Sequence, residues 1–163
     1  MRSMLTEQSI NILKANGWSE NRSIDIDEYK KAIRERGFKD NQYFEEFIKK
    51  YGGLHVKFKR GNASKIFENL TKEEIKDIEK KELHFDVLEL MKNDYGIDLL
   101  REIIEENNKN FIPIGEASNG YCYLFMDEIG KIYIFNEEIL GVYDSIEDFI
   151  NKHFNFYFAE VIE

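Results

Sequence analysis

Apolar residues near the start of the chain follow the 3.6-residue period of a helix. Ile10 and Leu13 would share the inner face of a helix that runs to about Ala15. Thr6 is placed to cap the first turn. Gly17 is placed to end the helix, because glycine readily adopts the left-handed conformation found at helix ends.

Two further helices are predicted, each with its own start and stop signals. Asp25 and Glu28 have the spacing of a capping box, and Gly37 would close the helix that they open. A third helix is predicted from about Asn41 to the glycine pair at 52–53, which allows a sharp exit into a strand.

The pattern then becomes less regular. Every second residue over 54–58 is apolar, which is the period of a half-buried strand. Thr71 and Glu74 form another capping box and predict a short helix around 72–80, before a brief strand at Leu83 and Phe85.

Two helices are predicted before the last third of the chain. Asp86 and Glu89 would cap a helix to about Tyr95, where Gly96 breaks it, and Asp98 would open the next helix. That helix would point apolar side chains inward and present an acidic outer face, formed by Glu102, Glu105 and Glu106.

The last third changes to the composition of strands. Residues 111–114, 121–126 and 131–135 are rich in β-branched and aromatic residues. The turn between the last two strands would hold Gly130 in a left-handed position, closed by a bulge. The strand 121–126 is apolar on both faces, so we expect it to be central and covered on both sides.

A further strand over 139–142 is predicted before a C-terminal helix. Asp144 and Glu147 would open this helix, whose inner face includes Phe149. The tail 156–162 fits either an extension of the helix or an edge strand.

Length and composition indicate one folded domain over residues 1–163. Hydrophobic residues make up 42% of the chain, and a domain of this size can bury roughly 70% of its unfolded surface. Pro113 is the only proline, and no stretch has the composition of a linker.

The charge is strongly negative, with 23 lysines and arginines against 32 aspartates and glutamates, for a net charge of -9. This field would repel nucleic acid and attract a basic protein partner. Solubility alone is an equally good explanation of the acidity.

The sequence does not indicate a catalytic, metal or cofactor site. His55, His84 and His153 are far apart along the chain and fit no metal-binding spacing. Cys122 is the only cysteine, and its apolar neighbours predict a buried, inert thiol. Gly115 and Gly120 bracket a predicted loop between strands and do not open a helix, which is the wrong context for a dinucleotide site.

The N-terminus has no apolar segment typical of a signal peptide, and no window approaches the length of a membrane span. We therefore expect a cytoplasmic protein with no membrane contact.

Three blocks of sequence, in order along the chain, resemble the SUKH-3 type of the SUKH immunity proteins. The first is LKANGW with RSID, at 13–18 and 22–25. The second is FIKKYGGL at 47–54, a helix-to-strand junction. The third is IPIG at 112–115 with LFMDEIGKIY at 124–133.

The resemblance implies an α+β fold with helices packed around a mixed or mostly antiparallel sheet. It also implies an immunity protein that binds and neutralises a cognate bacterial toxin, typically encoded beside it. Many such toxins are basic nucleases, so an acidic protein could occlude one in a stoichiometric complex.

Most motif residues are interpreted as architectural. The positions that supply backbone conformation, core area or a helix cap are Gly52, Gly53, Gly130, Trp18, Phe47 and Asp25. The predicted partner-binding residues are acidic or aromatic: Asp127, Glu128, Glu137, Glu138, Tyr143, Glu102, Glu105 and Glu106. Tyr143 could instead pack under the last helix, and the acidic residues could serve solubility alone.

A second hypothesis is a regulatory adaptor like the SMI1/KNR4-like members of the same superfamily, without a toxin. A third and residual hypothesis is an enzyme. We expect a monomer or a weak homo-oligomer that binds no nucleic acid.

Overall fold

The computed structural model of the chain describes residues 4–59, 71–74, 80–117, 120–136 and 138–162. Helices and strands follow one another in the order α1 (Glu7–Ala15), α2 (Asp27–Glu35), α3 (Gln42–Tyr51), β1 (His55–Lys59), β2 (Lys80–His84), α4 (Val87–Met91), α5 (Asp94–Asn107), β3 (Ile112–Ala117), β4 (Cys122–Met126), β5 (Ile132–Asn136), β6 (Glu138–Tyr143) and α6 (Ile146–Ile162).

The strands form one six-stranded sheet in sequence order, β1-β2-β3-β4-β5-β6. Every neighbouring pair is antiparallel, so the predicted α+β fold is confirmed and the sheet is antiparallel rather than mixed. β4 lies between β3 and β5, and Cys122, Leu124, Phe125 and Met126 are all buried. The prediction of a central strand covered on both faces is therefore confirmed.

The last helix, α6, crosses one face of the sheet from edge to edge. Phe149 contacts Tyr143 of β6 with ring centroids 5.1 Å apart, and Phe154 contacts Phe58 of β1 at 4.8 Å. The backbone of α6 continues to Ile162, so the tail extends the helix and does not form a strand.

An aromatic layer covers the opposite face. Phe125 and Phe135 lie with their ring centroids 4.8 Å apart, and Phe111 meets the edge of Tyr133 at 4.7 Å. Paired and alternate residues of β4 and β5 place Phe125, Tyr133 and Phe135 on one face, away from Tyr143.

The predicted architectural aromatics lie in the core around α3. Trp18 stacks on Tyr51 with centroids 6.1 Å apart, and Phe47 meets Phe85 edge to face at 5.1 Å. These contacts join the segment after α1 and the end of β2 to the buried face of α3.

Several predicted helix starts are confirmed by their capping hydrogen bonds. Thr6 Oγ1 accepts from the Ser9 N–H at 3.2 Å, Asn41 Oδ1 accepts from the Phe44 N–H at 3.0 Å, and Asp86 Oδ1 accepts from the Glu89 N–H at 3.2 Å. Of the helix predicted around 72–80, residues 72–74 are helical, while residue 80 already belongs to β2 and the rest lies outside the described residues.

Two predicted starts are displaced by a residue or two. α2 begins at Asp27 with Ile26 at the N-cap position, and Asp25 Oδ1 accepts from the Asp27 N–H at 2.9 Å from outside the helix. At α6 the capping hydroxyl belongs to Ser145, which accepts from the Asp148 N–H at 3.0 Å, in place of Asp144.

The predicted break at Gly96 is wrong. α4 ends at Met91, and α5 begins at Asp94 and runs through Gly96. Asn93 Oδ1 accepts from the Gly96 N–H at 3.0 Å, so the glycine lies in the first turn of a capped helix. Asparagine is a strong N-capping residue, so the helix start that Asn93 favours outweighs the helix break that Gly96 favours.

The two edges of the sheet differ. On β1, Asn16 Oδ1 accepts from the Lys57 N–H at 2.9 Å, and Asn16 Nδ2 donates to the Lys57 carbonyl at 3.0 Å. Asn16 thus bonds two of the backbone groups that an added strand would use, those of the central residue of β1. In the described part of the chain, β6 has no such cap on residues 138–142.

His153 gives the fold a dependence on pH. It is 4% exposed, and its ring lies against Phe149 and Phe58 at 5.0 and 5.6 Å. Burial, together with the charge of Lys81, lowers the pKa of His153 from 6.5 to about 4. The unfolded chain therefore binds this proton more readily, and stability falls as the pH drops from 6.5 towards 4.

We expect the neutral His153 to contribute up to about 3 kcal/mol to the difference in stability between pH 7 and pH 4. The His153→Phe variant should lose less stability than the wild type between pH 7 and pH 5, because it has no proton to bind at this position. Urea unfolding of both proteins at the two pH values measures the difference. Equal losses would show that His153 is not the group responsible.

Candidate partner-binding surface

Asp127 lies inside the β4–β5 hairpin and is 5% exposed. Its Oδ1 accepts from the N–H groups of Ile129 and Lys131 at 3.0 and 2.9 Å, and its Oδ2 accepts from the Tyr133 hydroxyl at 3.0 Å. Burial raises the pKa of the Tyr133 phenol, which keeps this donor protonated. Asp127 therefore holds the turn, and we leave it out of the proposed partner surface.

The same turn confirms the predicted role of Gly130. Its φ is 84°, in the left-handed region, and its N–H donates to the Asp127 carbonyl at 3.2 Å. A Cβ at this position would lie 2.8 Å from the ring of Tyr43, so both the conformation and the space require glycine.

Glu128 is exposed beside the end of α5. Its Oε1 accepts from Asn110 Nδ2 at 3.1 Å. Asn110 and Glu105 line one shallow cavity of about 260 Å³ together with Arg101. The structure therefore brings two predicted residues, Glu128 and Glu105, to the same end of the molecule.

The outer face of α5 is as predicted. Glu102, Glu105 and Glu106 are exposed, while Leu100 and Ile103 on the inner face are buried. This helix presents three carboxylates to solvent within little more than one turn.

Glu138 is exposed at the start of β6, and Glu137 lies outside the described residues. Asn136 pairs with Glu138, whereas Ile132, next to the Glu128 hairpin, pairs with Tyr143. Glu138 and Glu128 are therefore at opposite ends of β5, separated by about 13 Å along the strand. Those of the predicted acidic residues that the structure describes therefore do not form one cluster.

Tyr143 is half-buried, with its ring edge to face against Phe149 at 5.1 Å. The ring therefore packs under the last helix, which is one of the two roles predicted for Tyr143. The exposed apolar residues of β6 are its neighbours Ile139, Leu140 and Val142, which the sequence analysis did not select.

A polar cleft near β1 and β2 was also missed by the sequence analysis. His55 and His84 pair across these strands, and their rings stack with centroids 4.4 Å apart. His55 Nε2 lies 3.1 Å from Asp86 Oδ2, and His84 Nε2 lies 3.1 Å from Glu82 Oε2. The register between β1 and β2 brings these histidines together, and no local sequence signal indicates that register.

The cleft has a volume of about 360 Å³ and is lined mainly by polar side chains, among them His55, His84, Asp86, Glu89 and Glu116. Lys92 also lines the cleft, and its Nζ lies 3.5 Å from Glu89 Oε1, so the lining combines groups of both charges. Among the described residues, no three histidine, cysteine or acidic side chains are arranged to hold a metal ion.

Over the described ranges, none of the helices combines the length and apolar character needed to span a bilayer.

The Asp127→Ala variant should be destabilised by about 3 kcal/mol, because three donors in the hairpin lose their acceptor. Glu128→Ala, one residue along, should change stability by no more than about 0.5 kcal/mol, since Glu128 is exposed. Urea unfolding at pH 7 measures both. Similar effects of the two substitutions would contradict the structural role of Asp127.

Comparison with known proteins places this architecture in a family. A family model described as SUKH-3 immunity protein matches residues 5–152. The match spans α1 to α5, all six strands and the beginning of α6. No curated protein and no solved structure shows significant similarity to the chain. The resemblance drawn from the three sequence blocks is confirmed, and the chain belongs to the SUKH-3 immunity protein family.

Proposed function

We propose that this chain neutralises a basic nuclease toxin by occluding it in a stoichiometric complex in the cytoplasm. The observation that carries the proposal is the family match over residues 5–152, which implies toxin immunity and a cognate toxin partner. The basic character of the toxin and its occlusion are inferred from the charge of the chain, and the choice of a nuclease follows what the resemblance to the family implies.

The charge supports a basic partner. The chain has a net charge of -9. The exposed carboxylates that we assign to the interface lie on two separate parts of the surface, with Glu102, Glu105, Glu106 and Glu128 near α5 and Glu138 on β6. A nuclease binds phosphates through basic side chains, and an acidic surface is complementary to the same groups.

The proposed inhibition needs no chemical step. A nuclease whose substrate path is covered cannot bind nucleic acid, so binding alone accounts for protection. Immunity proteins of this family are generally non-catalytic. We accordingly propose that the chain acts as a binding protein and without a cofactor.

We expect the chain to protect cells that express the C-terminal domain of the protein encoded by the adjacent gene. Survival after co-induction measures protection, and co-purification with analytical ultracentrifugation measures the complex and its stoichiometry. Persistent toxicity without any complex would rule out the immunity function. A stable complex with a cellular protein that is not a toxin would favour the regulatory adaptor.

Reversing the charge of Glu137 and Glu138 to lysine should slow association with that toxin domain by about tenfold at low salt, because electrostatic steering is weakened. The association rate should also depend less on salt. The matched control is the exposed pair Glu73 and Glu74, whose reversal changes the net charge equally. Stopped-flow association rates at several salt concentrations measure both variants. If the two variants associate at equal rates, the interface lies elsewhere.

A further inference from the structure

β6 carries the apolar layer of the sheet to an open edge. Tyr133 pairs with Val142, and Phe135 pairs with Ile139. Residues directly opposite one another in an antiparallel pair project from the same face. Val142 and Ile139 therefore extend the layer formed by Tyr133 and Phe135, on the face opposite α6.

This extension is uncovered. Ile139, Leu140 and Val142 are 38%, 54% and 51% exposed. The pairing with β5 shifts between Ile134 and Phe135, which leaves Leu140 without an opposite residue and forms a bulge. Single exposed apolar residues are ordinary, but three within four positions of an edge strand form an interaction surface.

The backbone at this edge is available as well. Asn16 bonds both backbone groups of Lys57 at the β1 edge, and no equivalent side chain bonds residues 138–142 within the described ranges. An extended segment could therefore continue the sheet at β6 through main-chain hydrogen bonds.

The charges around β6 indicate which kind of extended segment would bind at this edge. Glu138 at its start and Asp144 just beyond its end are exposed, and the strand itself has no lysine or arginine. A second copy of the chain would bring another net charge of -9 to this edge, which disfavours self-association. A positively charged strand is complementary to it.

We propose that an extended, basic segment of the cognate toxin adds to the sheet as a strand beside β6. Its apolar side chains pack on Ile139 and Val142, and its lysines or arginines lie near Glu138 and Asp144. This inference rests on the proposed function and names the surface that the complex uses.

The test compares Val142→Lys with Met4→Lys in binding to the toxin domain from the adjacent gene. Both substitutions replace an exposed apolar side chain by lysine, and Met4, which precedes α1, is 87% exposed and lies outside the proposed partner surface. Val142→Lys should weaken binding by about tenfold or more, while Met4→Lys should leave it unchanged. Hydrogen exchange of the wild-type chain should show slower exchange of backbone amides in 138–142 within the complex.

The remaining outcomes separate the two proposals. If the wild type binds but Val142→Lys binds equally well and 138–142 gain no protection, strand addition at β6 is wrong and the immunity function stands. If the wild type does not bind, the proposed function fails and this inference fails with it. If Val142→Lys does not fold, the exchange data for the wild type decide. Self-association of the chain alone, abolished by Val142→Lys, would show that a second copy occupies the edge and would overturn the proposal.

Discussion

Because β4 and β5 carry apolar side chains on both faces, water has to be excluded from both sides of the middle of the sheet. One helix cannot do this. α6 covers one face through Phe149, and on the other face Phe125 of β4 and Phe135 of β5 pack against Phe111. In the hairpin between the two strands, the buried carboxylate of Asp127 accepts hydrogen bonds from three donors and so holds the turn.

Much of this arrangement could be predicted from local signals. Thr6, Asn41 and Asp86 cap helices within their own neighbourhood, and the apolar strand 121–126 could only be central. The break at Gly96 was placed wrongly because two local signals competed, and the Asn93 cap formed the better helix start. The pairing of His55 with His84 was not predictable, since it depends on the register between strands separated by a segment with weak patterning.

The candidate surface was predictable only in part. Asp127 and Glu128 are adjacent and chemically alike, yet one is buried in the turn and the other faces solvent. Only the geometry of the hairpin separates them. The family motifs contain residues that hold the scaffold. Arg22 donates to the carbonyls of Lys50 and Gly52 at 3.0 and 2.9 Å and so fixes the end of α3. The motif residues thus keep the fold, and the two surfaces proposed for partner binding, on β6 and α5, lie outside the motif blocks.

Asn16 also limits the size of any assembly that this sheet can form. A sheet with two open edges can be extended at both, and head-to-tail addition of further chains then leads to open filaments. A single amide that occupies both backbone groups of Lys57 interrupts the hydrogen-bonding edge in the middle of β1 and so disfavours one of these directions. A strand added beside β6 would consequently be a terminal event, and growth would stop at one partner per chain instead of continuing into a polymer.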